Sequence, residues 1–71
     1  MDKRAYTLKE LGQAYFPHIE PKSASKRLRD WIADDSVLLN SLLANGYTPT
    51  QRLLPWVCVS LILDRFGNVF D

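Results

Sequence analysis

Cysteine and histidine each occur once, as Cys58 and His18. A lone cysteine excludes an internal disulfide and a multi-cysteine zinc site, and in its apolar surroundings Cys58 reads as a reduced, buried thiol, which favours the cytoplasm. His18 lies in a turn between Pro17 and Ile19, with no cysteine or acidic residue adjoining it, and reads as a structural or exposed histidine. No carboxylate pair interrupts an apolar helix, so the parts for nucleophilic or acid–base catalysis are missing and the chain is not expected to be an enzyme. Glycine is scarce too. Gly12, Gly46 and Gly67 stand far apart, each as punctuation, and form no phosphate-cradling loop. No catalytic residue, cofactor or metal is expected.

Long apolar runs are also lacking. The most apolar one, Leu53 to Leu63, is eleven residues long and interrupted by Pro55, too short to cross a bilayer. The opening Met1-Asp2-Lys3-Arg4-Ala5-Tyr6 has no apolar core of a signal peptide, so neither secretion nor membrane association is expected. Net charge is small, at +1, and exerts little pull on nucleic acid or membrane as a whole.

What is present suits one small domain, residues 1–71, with ordinary apolar and charged content and too little Pro and Gly for a linker. A chain of this size buries roughly 60% of its unfolded surface, which leaves a thin stability margin. The charge is unevenly spread. From Met1 to Arg29 there are seven basic residues against three acidic ones, and from Asp30 to Asp71 two basic against five acidic. Such asymmetry marks a polyanion-binding face or two halves that neutralise each other.

The stretch Thr7 to Ile32 organises the chain as two amphipathic helices around a proline-marked turn. Thr7 with Glu10 three residues later forms a capping box, so a helix starts at Leu8 and runs to about Phe16, where Pro17 disfavours helical geometry before it. Gly12 inside this helix costs about 1 kcal/mol relative to alanine and is explained if a neighbouring helix passes close. Ile19 plugs the angle of the turn. Pro21 opens the second helix, which extends to about Ala33 with Ala24, Leu28, Trp31 and Ile32 as its apolar stripe. Asp35 or Ser36 caps a third helix, Val37 to Ala44, closed by Asn45-Gly46. Residues 48–53 suit a short strand, paired with residues 4–6. The run from Trp56 to Phe66 alternates like a strand, but Pro55 and Gly67 are placed as helix punctuation and a helix is preferred. Trp31, Trp56, Tyr15 and Phe16 are assigned to the core. Tyr6 and Tyr47 flank helix ends and are expected to be partly exposed. The fold class is therefore mainly α, four short helices with a helix-turn-helix core and one small strand pair.

Lys22, Lys26 and Arg29 recur at i, i+4 and i+7 along one stripe of the second helix. In one reading Lys22 and Lys26 touch phosphates while Ser23, Ser25 and Arg29 reach base edges, and Lys3 and Arg4 add phosphate contacts from an N-terminal arm. The nucleic-acid-binding candidates are thus Lys22, Ser23, Ser25, Lys26, Arg29, Lys3 and Arg4. The other reading is a solvated face with Asp30 and Asp34 as i+4 partners of the basic residues.

The order Tyr6-Thr7-Leu8-Lys9-Glu10-Leu11, then Tyr15-Phe16-Pro17, Pro21, Ala24, Lys26, Leu28, Trp31-Ile32 and Leu42-Leu43-Ala44-Asn45-Gly46-Tyr47 resembles a family of small bacterial proteins from gut anaerobes, a domain of unknown function. The resemblance spans nearly the whole chain and implies a mainly helical domain. Tyr6 to Leu11 is also similar to the opening of MerR and excisionase-type helix-turn-helix domains, over a shorter stretch. The chain departs from that pattern in the longer turn Phe16 to Glu20 and in lacking the Arg-Tyr-Tyr that follows in MerR recognition helices.

The functional expectation is a cytoplasmic helix-turn-helix module that binds duplex DNA, as a homodimer or with a larger protein partner because so few cationic contacts bind weakly alone. The alternative is a protein-interaction or oligomerisation domain without nucleic acid, using the apolar last helix and a Leu38, Leu39, Leu42 surface.

Overall fold

The computed structural model describes residues 3–48 and 50–70. Met1, Asp2, Pro49 and Asp71, which enter the charge count, the N-terminal reading and the 48–53 strand above, lie outside the described residues. Among the described residues the order is β1 (Tyr6–Thr7), α1 (Leu8–Tyr15), α2 (Pro21–Asp34), α3 (Ser36–Ala44), β2 (Leu53–Leu54) and α4 (Trp56–Phe66). The chain is mainly helical, as its periodicity requires.

α1 begins where the capping box puts it. The Thr7 hydroxyl accepts the Glu10 N–H at 3.0 Å and the Glu10 carboxylate accepts the Thr7 N–H at 3.0 Å, so two orphan donors of the first turn are satisfied reciprocally. Arg4 reinforces the box by donating to the Glu10 carboxylate at 2.9 Å. This bond, with the Thr7 N–H second, holds the Glu10 carboxyl at about 2. A carboxylate whose folded value is depressed stabilises above its unfolded value and loses that contribution as pH falls through the folded one. Stability is therefore expected to decline between about pH 4.5 and pH 2. Glu10→Gln, which retains a capping side chain, should flatten part of that decline in a series of urea titrations. Because the pair is exposed, its worth at neutral pH is no more than about 1 kcal/mol. An unchanged acid limb would remove Glu10 from the explanation. Some slope will remain, since Asp35 is depressed in the same direction by Arg65 and by the Leu38 N–H.

The turn after α1 is clamped by Gln13, whose amide donates to the carbonyls of Phe16 and Ile19, each at 3.0 Å. α2 then packs directly on α1 at Gly12. A Cβ there would lie 2.7 Å from the backbone carbonyl carbon and oxygen of Ala24, the close approach that the glycine implied. Asp35 caps α3 by accepting the Leu38 N–H at 3.1 Å, and its other oxygen takes Arg65 from the end of α4. α3 closes in a Schellman turn: Tyr47 N–H reaches Leu42 O at 2.9 Å, and Gly46 stands at φ +90°.

α4 is a helix. Its buried residues are Cys58, Val59, Ile62 and Leu63, at helical spacing, and Pro55 supplies the first carbonyl to the N–H groups of Cys58 and Val59. Its core-facing side completes one cluster with Leu11, Leu28, Ile32, Leu42 and Leu54, all at or below 1% exposure.

Four expectations are corrected. The expected two-stranded pairing forms but is shorter and shifted along the chain, antiparallel with Tyr6 opposite Leu54 and Thr7 opposite Leu53, where residues 4–6 with 48–53 were expected. The reason is local: Gln51 accepts both the N–H and the hydroxyl of Thr48 and donates its own N–H to the Thr48 carbonyl, so the chain curls there and extends only afterwards. Trp31 is 40% exposed because Ala24, Leu28 and Ile32 define the buried line of α2 and leave Trp31 at its margin, edge-on to Phe16 at 4.8 Å. Tyr6 and Tyr47 are buried, the first within β1 with its ring centroid 5.5 Å from that of Phe70, and the second packed into the core cluster just after the Schellman turn. Leu38 and Leu42 are buried and Leu39 is half-buried, so the surface assigned to them is consumed by the chain's own core.

Candidate nucleic-acid interface

With Ala24, Leu28 and Ile32 committed to the core, the periodicity of α2 turns Lys22, Ser23, Lys26 and Arg29 outward, and all four are exposed. Together with half-buried Ser25 they line a depression of about 390 Å³. The Ser25 hydroxyl turns back onto the Lys22 carbonyl at 3.0 Å, which engages its only proton and leaves it an acceptor toward any ligand.

A second depression, of about 290 Å³, adjoins the first through Ser25 and Arg29 and is completed by Thr7, Leu8, Lys9, Gln51 and Arg52. Three elements meet there. The Leu8 N–H donates to the Arg52 carbonyl at 3.1 Å, which ties the approach to β2 against the first turn of α1. No carboxylate lines either depression. Asp30 lines a third hollow, of about 250 Å³, with Ser23, Lys26 and Arg27. Among the described residues the ion pairs are Arg4–Glu10 and Arg65–Asp35, so the expected i+4 pairing of Lys26 with Asp30 does not form. Arg27 stands over the Phe16 ring, 5.5 Å from its centroid.

The structure thus brings together Lys22, Ser23, Ser25, Lys26 and Arg29 and leaves the arm residues out. Arg4 lines neither depression. It is held by Glu10, donates to the Ala5 carbonyl at 2.7 Å and lies 3.9 Å above the Tyr6 ring. Lys3 is exposed and lines neither depression as well. In their place stand Lys9 and Arg52, which sequence reasoning missed. Lys9 was legible as an exposed second residue of a capped helix. Arg52 was not, because only the strand register carries it to that helix.

The remaining reactive groups lie elsewhere. His18 is exposed in the α1–α2 turn. The Cys58 thiol is buried, faces the Asn45 carbonyl oxygen at 3.6 Å, and is pushed up by burial, away from a reactive thiolate. Among the described residues no three or more His, Cys, Asp or Glu side chains group to hold a metal ion, and no helix is long and apolar enough to cross a membrane.

The family model described as Domain of unknown function (DUF4248) matches residues 2–68, and the chain belongs to that family. No curated protein and no solved structure matches it.

Proposed function

We propose that this member of the family is a cytoplasmic nucleic-acid-binding module, with α1 and α2 acting as the two helices of a helix-turn-helix and duplex DNA as the ligand. Lys22 and Lys26 contact backbone phosphates, Ser23 reaches base edges, Arg29 stands between the two depressions within reach of a phosphate or a base edge, and Ser25 offers a lone pair. The observation that carries this is the pair of adjoining depressions lined by Lys22, Lys26, Arg29, Lys9 and Arg52 without a carboxylate. Uncompensated cations gathered on one face gain free energy by displacing the counterions condensed on a polyanion. Support also comes from the similarity of Tyr6 to Leu11 to the opening of MerR and excisionase-type domains. The role is binding, with no chemical step.

Anisotropy of a labelled mixed-sequence duplex should report micromolar or tighter binding that weakens steeply between about 50 and 200 mM salt. The double charge reversal Lys26→Glu, Arg29→Glu should weaken it about tenfold or more. A reversed variant that binds as well as the parent overturns the proposal.

A second reading, a protein-interaction module, is favoured by one observation. Trp31 and Val37, 40% and 67% exposed, lie along a depression of about 550 Å³ with Phe66, Asp34 and Arg65. Its occupant would be a second copy of the chain, since residues of both charge signs line the apolar floor. Sedimentation that finds only monomer removes it.

A further inference from the structure

We propose that the depression between the start of α1, the Gln51–Arg52 segment and α2 is a phosphate site, which seats one phosphodiester of the bound strand and sets its register on α2. The inference rests on the nucleic-acid reading for the source of the phosphate, and on its own geometry for the site.

Lys9, Arg29 and Arg52 come from three separate parts of the chain and converge on a single hollow of about 290 Å³. An anion seated in that hollow would meet all three cations and no lining carboxylate. The acid nearest in sequence is Glu10, and it is spent: one oxygen accepts the Thr7 N–H and the other accepts Arg4. Arg4, expected among the phosphate contacts, is instead paired with Glu10 and helps to keep that carboxylate out of the hollow.

The hollow is held in shape. Leu8 and Lys9, the first two residues of the capped helix α1, form one wall, and the capping box and the Leu8 N–H bond to the Arg52 carbonyl hold that wall in place. The wall carrying Arg52 is fixed twice: the Arg52 carbonyl accepts from Leu8, and Gln51 bridges the Thr48 N–H and hydroxyl to the Leu53 carbonyl, to which it donates at 2.7 Å. The two helices that wall it, α1 and α2, are held in close backbone contact at Gly12, against Ala24 and Ser25. Arg29 borders both depressions. A phosphate bound here lies one step from the groove of Lys22 and Lys26, as a strand running along α2 requires. Phosphate contacts of this kind fix position and carry no sequence information.

The experiment uses the full chain, with the variant Lys9→Gln, Arg52→Gln, both exposed residues whose loss leaves the core intact. Inorganic phosphate, titrated at constant ionic strength against chloride, should shift the amide resonances of Lys9, Gln51 and Arg52 saturably in the parent and not in the variant. With a labelled duplex the variant should bind about tenfold more weakly, with a salt slope lower by about two and an unchanged order of preference among sequences. Duplex binding with unaltered affinity and slope, with no phosphate-specific shifts, overturns the site while leaving the α2 reading in place. Saturable phosphate binding in a parent chain that ignores every duplex keeps the site, assigns it to a free phosphate and overturns the nucleic-acid reading.

Discussion

Gly12→Ala should cost this protein about 2–3 kcal/mol, at the upper end of what overpacking does, although alanine is the better helix former by about 1 kcal/mol. In an isolated helix the substitution would stabilise. Here the added carbon would sit 2.7 Å from the carbonyl carbon and oxygen of Ala24 and 2.9 Å from the nitrogen of Ser25. These are backbone atoms in the body of α2, so no side chain can swing aside and α1 must lift off its neighbour. For a domain of this size the loss corresponds to a fall of about 10–20 °C in Tm, read by circular dichroism on heating. Gly46→Ala is the contrasting variant: a Cβ there meets open space, and only the backbone angle of +90° opposes it, so a smaller loss of about 1–2 kcal/mol is expected. A Gly12→Ala protein as stable as its parent would show that the two helices do not touch where the structure places them. Because α1 and α2, which meet at Gly12, both wall the proposed phosphate hollow, the variant should lose duplex affinity even at temperatures where it remains folded.

Leu28→Ala and Arg29→Ala, at neighbouring positions of α2, should separate stability from binding. Leu28 is fully buried, at 0% exposure, among the side chains that α1, α3 and α4 contribute to one cluster. Truncation removes transfer free energy and leaves a cavity, a loss of about 3 kcal/mol within a usual range of about 2–5. The thin margin of so short a chain makes that a large fraction of the total. Arg29 is exposed and shares both basic depressions. Its truncation should leave the urea midpoint nearly unchanged, within about 0.5 kcal/mol. Duplex binding should nevertheless weaken about tenfold. If Arg29→Ala melted the protein as deeply as Leu28→Ala, the outward face of α2 would be structural and its claim as an interface would fail.

Those two positions also show where sequence reasoning succeeded. Placing Leu28 inside and Arg29 outside needed only the period of a helix and the start that Pro21 imposes. The reach of the same period stopped at Trp31, which shares the apolar stripe on a helical wheel yet stands at its edge, because the width of the buried line depends on how closely α1 approaches. Lys3 and Arg4 were assigned to the interface by proximity in sequence and charge. The structure spends Arg4 on Glu10 and brings Arg52 from the far side of the chain.

By itself the amino-acid order determined the elements: Thr7 with Glu10, Asp35 and the Asn45-Gly46 pair start or stop helices through bonds spanning three to five residues, and Pro21 opens one through its fixed φ, all of them local devices. Gly12 announced a close contact without naming the partner. Tertiary structure alone decided the strand register, the burial of Tyr6 and Tyr47, and the meeting of Lys9, Arg29 and Arg52. Each of these joins residues distant along the chain, and their juxtaposition depends on how the helices pack, which no local pattern encodes.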